Sequence, residues 1–217
     1  MVRGSEEKMK MKSALKYYLV FLCLVVVLIP AAAVAGPATE AVRQPINDGI
    51  GLLRDQKAGT EAQKKEQTDR IWKIVRQAFD FRLISVQALG RNWRRFSPAE
   101  KSEFADVFSQ LLGNTYISKI QGNYNDEEVL FIGEEKVSKK KAIVRTIIKR
   151  QNQEIPVDYK MRFKKGEWKV YDIKVEGIGL VLNYRRQFNA FFSKKSGTPE
   201  GLIKKLRAKL EEKETRN

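Results

Sequence analysis

Residues 155–175 read IPVDYKMRFKKGEWKVYDIKV, and this stretch decides the fold class. From Ile155 to Phe163 apolar and polar residues alternate, which is the pattern of a β-strand with one buried and one solvent-exposed face. Lys164 to Glu167 predicts a hairpin turn, and Trp168 to Val175 predicts the strand that follows it. Strands with one apolar and one polar face indicate an antiparallel sheet that helices cover on a single side.

Two more strands precede this hairpin, at Val129 to Ile132 and at Lys141 to Arg150. Helices flank the strands on both sides in the sequence. The clearest one starts at Ser97-Pro98-Ala99-Glu100, a capping box with proline at the first helical position. We therefore predict an α+β fold, a four-stranded antiparallel sheet covered on one face by several helices.

The other predicted helices follow the spacing of their apolar residues. One runs from Thr60 to Phe79, a short one carries Leu83 to Leu89, and two follow Gly177 and Thr198. A first helix, through Val42 and Leu53, is weakened by Pro45, Gly49 and Gly51.

The first 35 residues have the pattern of a signal peptide. Four lysines precede an apolar run of 13 residues from Tyr17 to Ile29, and Ala33-Val34-Ala35 is a small-residue cleavage site. A membrane span needs about 20 residues, so the run is short for one, although an uncleaved anchor remains an alternative. We predict cleavage after Ala35 and a single domain at residues 36–217.

Composition excludes several classes of protein. The chain has no histidine and one cysteine, Cys23, so histidine-based catalytic triads, histidine or four-cysteine metal sites and an internal disulfide are excluded. Its 42 Lys and Arg residues against 26 Asp and Glu give a formal net charge of +16. A charge of this size suggests nucleic acid as a partner, but export favours anionic membrane surfaces and acidic proteins instead.

Several strings, in this order, resemble one known family. The segments similar to its central helical part are Asp80-Phe81, Leu89-Gly90-Arg91-Asn92-Trp93 and Ser97-Pro98-Ala99-Glu100. Its most distinctive block resembles Trp168-Lys169-Val170-Tyr171-Asp172, Glu176-Gly177-Ile178 and the stretch from Tyr184 to Phe188. The family is MlaC, also called the toluene-tolerance auxiliary family, of periplasmic phospholipid-binding proteins. The resemblance runs from about Ala41 to Leu210.

The resemblance implies a periplasmic carrier with a nuclear-transport-factor-like sheet and helical additions. Such a carrier shuttles glycerophospholipids between an inner-membrane lipid ABC transporter complex and an outer-membrane lipoprotein–porin complex, and so maintains outer-membrane lipid asymmetry. It is not an enzyme and needs no cofactor, no metal and no nucleic acid. A diacyl lipid carries roughly thirty methylenes at about 0.8 kcal/mol each, so the carrier must supply an apolar cavity.

Large apolar side chains on three predicted elements are the candidates for that cavity. They are Phe104, Phe108 and Leu112 on one helix, Val157, Tyr159, Met161 and Phe163 on the sheet, and Val181, Tyr184, Phe188 and Phe191 on the helix after Gly177. An aromatic stripe of this kind is equally typical of a solid core. Arg91 and Arg185 are candidates for binding the phosphate headgroup or an acidic docking partner, because guanidinium groups bind phosphate in a bidentate manner.

Two alternatives to a lipid carrier remain at this point. Asp172 and Glu176 could serve as the general base of a small periplasmic acid/base enzyme with a nuclear-transport-factor-like fold, although no second acid/base partner lies at a suggestive spacing. Asp172 could equally satisfy backbone or arginine groups. The other alternative is a non-lipid envelope interaction module, which would explain the positive charge but not the apolar surplus.

Overall fold

Helices precede and follow a central sheet in the computed structural model, which describes residues 36–55 and 59–214. The helices before the sheet are α1 (Pro37–Asp55), α2 (Glu61–Ala78), α3 (Phe81–Leu89), a 3₁₀ helix (Gly90–Arg95) and α4 (Pro98–Asn123). The strands are β1 (Glu128–Ser138), β2 (Lys141–Arg150), β3 (Gln153–Lys164), β4 (Glu167–Val175) and β5 (Ile178–Gly179). Two helices follow, α5 (Leu180–Phe192) and α6 (Pro199–Glu214). The predicted signal peptide lies outside the described residues.

Two helix starts have the caps that the sequence predicts. Thr60 caps α2 and Ser97 caps α4, each through a capping box completed by the residue three positions later. The first helix, by contrast, is uninterrupted from Pro37 to Asp55 although Pro45 lies inside it. Proline removes one helical hydrogen bond. The burial of Ala38 and Val42, both at most 2% exposed, favours the continuous helix despite that loss.

The sheet is an antiparallel meander in the order β1-β2-β3-β4-β5. It has five strands, so the prediction of four was wrong. The missed strand, β5, consists of Ile178 and Gly179 and pairs with the end of β4. Two residues are too few to show a period of two, which explains why the sequence pattern did not reveal it.

The buried side chains form two clusters. The sheet cluster consists of Ala38 and Val42 from α1 and Ala142, Val144, Met161 and Val170 from the strands. The helix cluster consists of Phe96 and the buried apolar side chains of α3, α4, α5 and α6, with Phe104, Phe108 and Phe188 among them.

The helices contact the sheet at different strands. Helix α1 packs on β1, β2 and β4, whereas α2, α3 and α5 contact the sheet chiefly at β4. The segment between α2 and α3 is attached to β4: Phe79 forms a β-bridge with Val170, and the Asp80 N–H donates to the Val170 carbonyl at 2.8 Å. Within the described part of the chain, no helix combines the length and the hydropathy that a membrane crossing requires.

Candidate functional site

The eleven candidate lipid contacts do not form one facing set. Those in the helix cluster are Phe104, Phe108, Leu112, Val181 and Phe188, with Tyr184 and Phe191 packed against it. Those elsewhere are Met161 in the sheet cluster, Tyr159 beside it, Val157 buried on β3, and Phe163 against Trp168. The sequence identified which side chains are apolar but not which of them meet.

The helix cluster is a solid aromatic core where Phe108 lies. Its ring centroid is 4.9 Å from that of Tyr184, 5.3 Å from Phe188 and 5.4 Å from Phe104. These are contact separations for aromatic pairs, and Phe108 is 1% exposed. The side chains around Phe108 therefore leave no room for an acyl chain.

A cleft of about 190 Å³ lies beside this core, between α4, α5 and α6. Tyr184, Phe188 and Phe191 line it together with Lys205 and Lys209. A cavity of about 150 Å³ accommodates one benzene molecule. The cleft is therefore large enough for a short alkyl segment but not for two acyl chains.

Exposed apolar side chains also lie on the two elements that adjoin α5, two of them on α4 and two at the β4–β5 connection. We name Tyr116, Ile120, Val175 and Ile178 the apolar rim; they are 39%, 51%, 42% and 70% exposed. The Tyr116 and Tyr184 hydroxyls form a hydrogen bond that joins α4 to α5. Helix α5 begins directly after β5, where Ile178 pairs with Val175.

The sheet continues the apolar surface inward from this rim. Val175 lies opposite Val157 in the register of β3 and β4, and Ile173 lies opposite Tyr159. Of the predicted candidates, Val157 pairs with the rim residue Val175, Tyr159 pairs with Ile173 on the same strand, and Tyr184 is hydrogen-bonded to the rim residue Tyr116. The sequence reasoning did not select the four rim residues, although Tyr116 belongs to the predicted helical stripe and Val175 ends a predicted strand.

Tyr116, Tyr159 and Tyr184 have raised pKa values, and burial is the main cause for each. Burial raises the pKa of Tyr159 to about 12, against the opposing effect of a hydrogen bond with Thr146. Burial and then the neighbouring Tyr116 raise the pKa of Tyr184 to about 12, and burial raises the pKa of Tyr116. The phenols are therefore held in a poorly solvated environment, as expected beside an apolar surface.

Asp172 has a structural role in this geometry. It is 4% exposed, its Oδ2 accepts a hydrogen bond from Lys160 Nζ at 2.8 Å, and its Oδ1 accepts one from the Val181 N–H at 3.1 Å. Val181 is in the first turn of α5, whose N-cap residue Gly179 provides no side-chain acceptor. Asp172 therefore caps α5 from the neighbouring strand, and both of its oxygens are engaged.

The two candidate arginines lie close together but differ in their contacts. Arg185 is half-buried, and its Nε donates to the Gln87 carbonyl at 2.7 Å, in the last turn of α3. Gly90 lies beside this side chain and has a φ of +55°, which favours glycine; a Cβ there would make only an ordinary contact, 3.6 Å from Arg185 Nε. Arg91 follows Gly90 and is exposed. Arg185 thus ties α5 to α3, whereas Arg91 is accessible to a partner.

The fold and the apolar rim together define an α+β binding domain. The chain belongs to the MlaC family, since the family model described as MlaC protein matches residues 43–208. This membership indicates a binding or transport protein rather than an enzyme, and confirms the resemblance noted from the sequence.

A solved structure shares the fold. It is a phospholipid-binding protein from Ralstonia solanacearum in complex with a phospholipid, with a TM-score of 0.69 and 23% sequence identity, covering 82% of this chain and 99% of that chain. No curated protein matches the sequence.

Proposed function

We propose that this protein binds a glycerophospholipid by its acyl chains and carries it through the periplasm. The observation that carries the proposal is the apolar rim, four large apolar side chains exposed on the elements that adjoin α5, in a protein of the MlaC family. The Ralstonia protein of the same fold holds a phospholipid, which supports the same ligand class here.

The acyl chains enter at the apolar rim and pass between α4 and the face of β3 and β4. Val157, Tyr159 and Tyr184 form the inner wall, and the candidates packed in the helix cluster support it from behind. Because the cleft of about 190 Å³ beside Phe108 is too small for two acyl chains, loading requires α4 and α5 to move apart at the Tyr116–Tyr184 hydrogen bond. The phosphate headgroup stays outside the rim, within reach of solvent, and Arg91 is available to it or to an acidic docking partner.

The carrier exchanges its lipid with an inner-membrane lipid ABC transporter complex and an outer-membrane lipoprotein–porin complex, and it thereby maintains outer-membrane lipid asymmetry. Residues 1–35 direct export, and cleavage after Ala35 releases the domain of residues 36–217. Family membership supports the exchange steps, and the sequence pattern of the leader supports export and cleavage.

Native mass spectrometry of the purified protein tests lipid binding. We expect the unmodified protein to carry the additional mass of a diacyl lipid and Ile120→Arg to lose it, because a charge at the rim opposes the entry of an acyl chain. Ile132→Arg on β1 is the matched control, since Ile132 and Ile120 are both 51% exposed. Substitution of an exposed side chain changes stability by roughly 0.5 kcal/mol or less, so both variants should fold.

Two results would contradict the proposal. One is an unmodified protein that is free of lipid when it is isolated from a membrane-containing extract. The other is equal lipid retention in Ile120→Arg and Ile132→Arg, which would remove the apolar rim as the point of entry.

A further inference from the structure

Two hairpin turns bring a set of cations to one end of the sheet. In the meander, the β1–β2 turn and the β3–β4 turn lie at the same end, and the Phe163 N–H donates to the Lys140 carbonyl at 2.9 Å. We name this the cationic end; its members are Lys136, Lys139, Lys140, Lys141, Arg162, Lys164 and Lys165. The cations of residues 136–141 and those of residues 162–165 are separated by more than a complete strand in the sequence, so only the fold reveals that they are neighbours.

The cationic end is not neutralised by nearby carboxylates. Glu134 accepts hydrogen bonds from the N–H and the hydroxyl of Thr39 in α1, at 2.7 and 2.9 Å. Glu135 pairs with Arg145, and Glu167 pairs with Lys169 at 2.9 Å. Among the described residues, no ion pair involves a member of the cationic end.

The arrangement is unfavourable for the stability of the sheet. Lys141 pairs directly with Arg162, and Arg162 pairs directly with Lys169, so three cations stand in one row across β2, β3 and β4, of which Lys169 is ion-paired with Glu167. Like charges directly opposite each other destabilise a sheet. Lys169 also donates to the Gln77 carbonyl, so contacts within the fold explain its position. They do not explain the Lys141–Arg162 pair, whose repulsion a negatively charged partner would relieve.

We propose that the cationic end docks on an anionic membrane surface. Six of its seven cations are lysines, which are flexible point charges and suit mobile lipid headgroups better than the fixed carboxylates of a protein. Apolar side chains accompany them. Val137 is 52% exposed at the end of β1, and the rings of Phe163 and Trp168 lie 5.5 Å apart beside the β3–β4 turn. Lysines beside aromatic and aliphatic groups are typical of surfaces that bind the membrane interface.

This docking goes beyond the proposed lipid carriage. It gives the protein a direct affinity for the bilayer, independent of any partner complex and of the occupancy of the apolar rim. Each lysine near an anionic surface contributes about 1 kcal/mol, which corresponds to about a fivefold change in the membrane partition coefficient. Removing three lysines should therefore weaken partition by roughly 100-fold.

Vesicle co-sedimentation of the protein tests the proposal. The vesicles are phosphatidylcholine with phosphatidylglycerol, compared with phosphatidylcholine alone. The variant is the triple substitution Lys139→Gln, Lys140→Gln and Lys164→Gln, all at exposed positions. The matched control removes the same charge elsewhere, with Lys194→Gln, Lys195→Gln and Lys204→Gln on the α5–α6 connection and on α6. Thermal melts verify that both triple variants remain folded.

We expect the unmodified protein to bind the phosphatidylglycerol vesicles and not the neutral ones. Binding should weaken when salt rises from about 0.01 M to about 0.15 M, because the Debye length falls from roughly 30 Å to roughly 8 Å. The Lys139/Lys140/Lys164 variant should lose binding far more than the control.

Three results would overturn the proposal. Equal losses in the two triple variants would show a nonspecific effect of net charge. Equal binding to both kinds of vesicle would remove the role of the cations. Association with polyglutamate but not with phosphatidylglycerol vesicles would identify an acidic protein as the partner instead. The assay measures where the protein partitions and not whether it contains lipid, so its failure is distinguishable from failure of the proposed function.

Discussion

Truncation of Phe108 to alanine separates solid core from lipid wall among the candidate residues. Phe108 is 1% exposed and its ring contacts three other aromatic rings at centroid distances of 4.9 to 5.4 Å. A Phe→Ala change in a packed core costs about 3–5 kcal/mol. Aromatic pairs contribute about 0.5–1.5 kcal/mol beyond their buried area, so three of them place Phe108→Ala in the upper part of that range.

Urea unfolding measures this loss directly. We expect the free energy of unfolding to fall by roughly 4 kcal/mol, with the transition midpoint lowered and the slope unchanged. In a thermal melt, a chain of this size loses about 2–4 °C per kcal/mol, which corresponds to a melting temperature lower by roughly 8–16 °C. Leu182→Ala on α5 is the control, because Leu182 is 48% exposed and its truncation should cost little.

A loss for Phe108→Ala below about 1.5 kcal/mol would refute this reasoning, because that value corresponds to a site with slack around the ring. Phe108 would then belong to a cavity wall, and the acyl chains would enter the helix cluster itself. The full loss would confine the lipid surface to the residues around the apolar rim.

Three further perturbations test contacts elsewhere in the domain. Asp172→Ala should lower the free energy of unfolding, measured in urea, by about 2–4 kcal/mol. Asp172→Asn should lower it by less, because asparagine keeps an acceptor for the N-terminus of α5. Equal losses in the two variants would contradict the capping role. The pKa of Tyr159, raised to about 12 from an ordinary 10, means that the folded state holds the phenol proton more tightly than the unfolded state. The free energy of unfolding should therefore be unaffected below pH 10 and should fall as the pH rises through 12. Unfolding measured across that pH range should show a shallower fall for Tyr159→Phe. Gly113→Ala should destabilise the fold by about 1–3 kcal/mol, because a Cβ there would lie 2.6 Å from the Trp72 ring. Gly122→Ala on the same helix is the control and should be neutral or stabilising, because its Cβ meets nothing within 4 Å. If thermal melts show stability changes of the same sign for both variants, the Trp72 contact is not the limiting factor.

The sequence specified the elements of this fold better than their arrangement. Strand β2 has the predicted bounds, Lys141 to Arg150, because alternation of apolar and polar residues reports which side chains face a core. Strand β5 was missed because it has only two residues. Pro45 argued against a helix that forms because tertiary burial of its apolar face outweighs local propensity.

The candidate site was less accessible to sequence reasoning, for a physical reason. Periodicity identifies the apolar face of each element but not the element that packs on it. Phe108 and Met161 thus appeared as parts of one wall, whereas they belong to different clusters. Arg185 was predicted to bind the headgroup or an acidic docking partner, and periodicity could not show that its Nε also donates to the Gln87 carbonyl, 98 positions away in the chain.

A tightly packed helix cluster is compatible with lipid carriage because stability and binding reside in different parts of the domain. Opening the junction at the apolar rim breaks the Tyr116–Tyr184 hydrogen bond, and such a bond contributes only about 0.5–1.5 kcal/mol net. Burial of each methylene of an entering acyl chain returns about 0.8 kcal/mol, so the first few methylenes offset that cost. The rim side chains are already exposed, so parting them from each other forfeits little further burial. Tyr184 shifts when the junction opens and loosens its ring contact with Phe108, at 4.9 Å, whereas the contacts of Phe108 with Phe104 and Phe188 can remain and hold the rest of the helix cluster together.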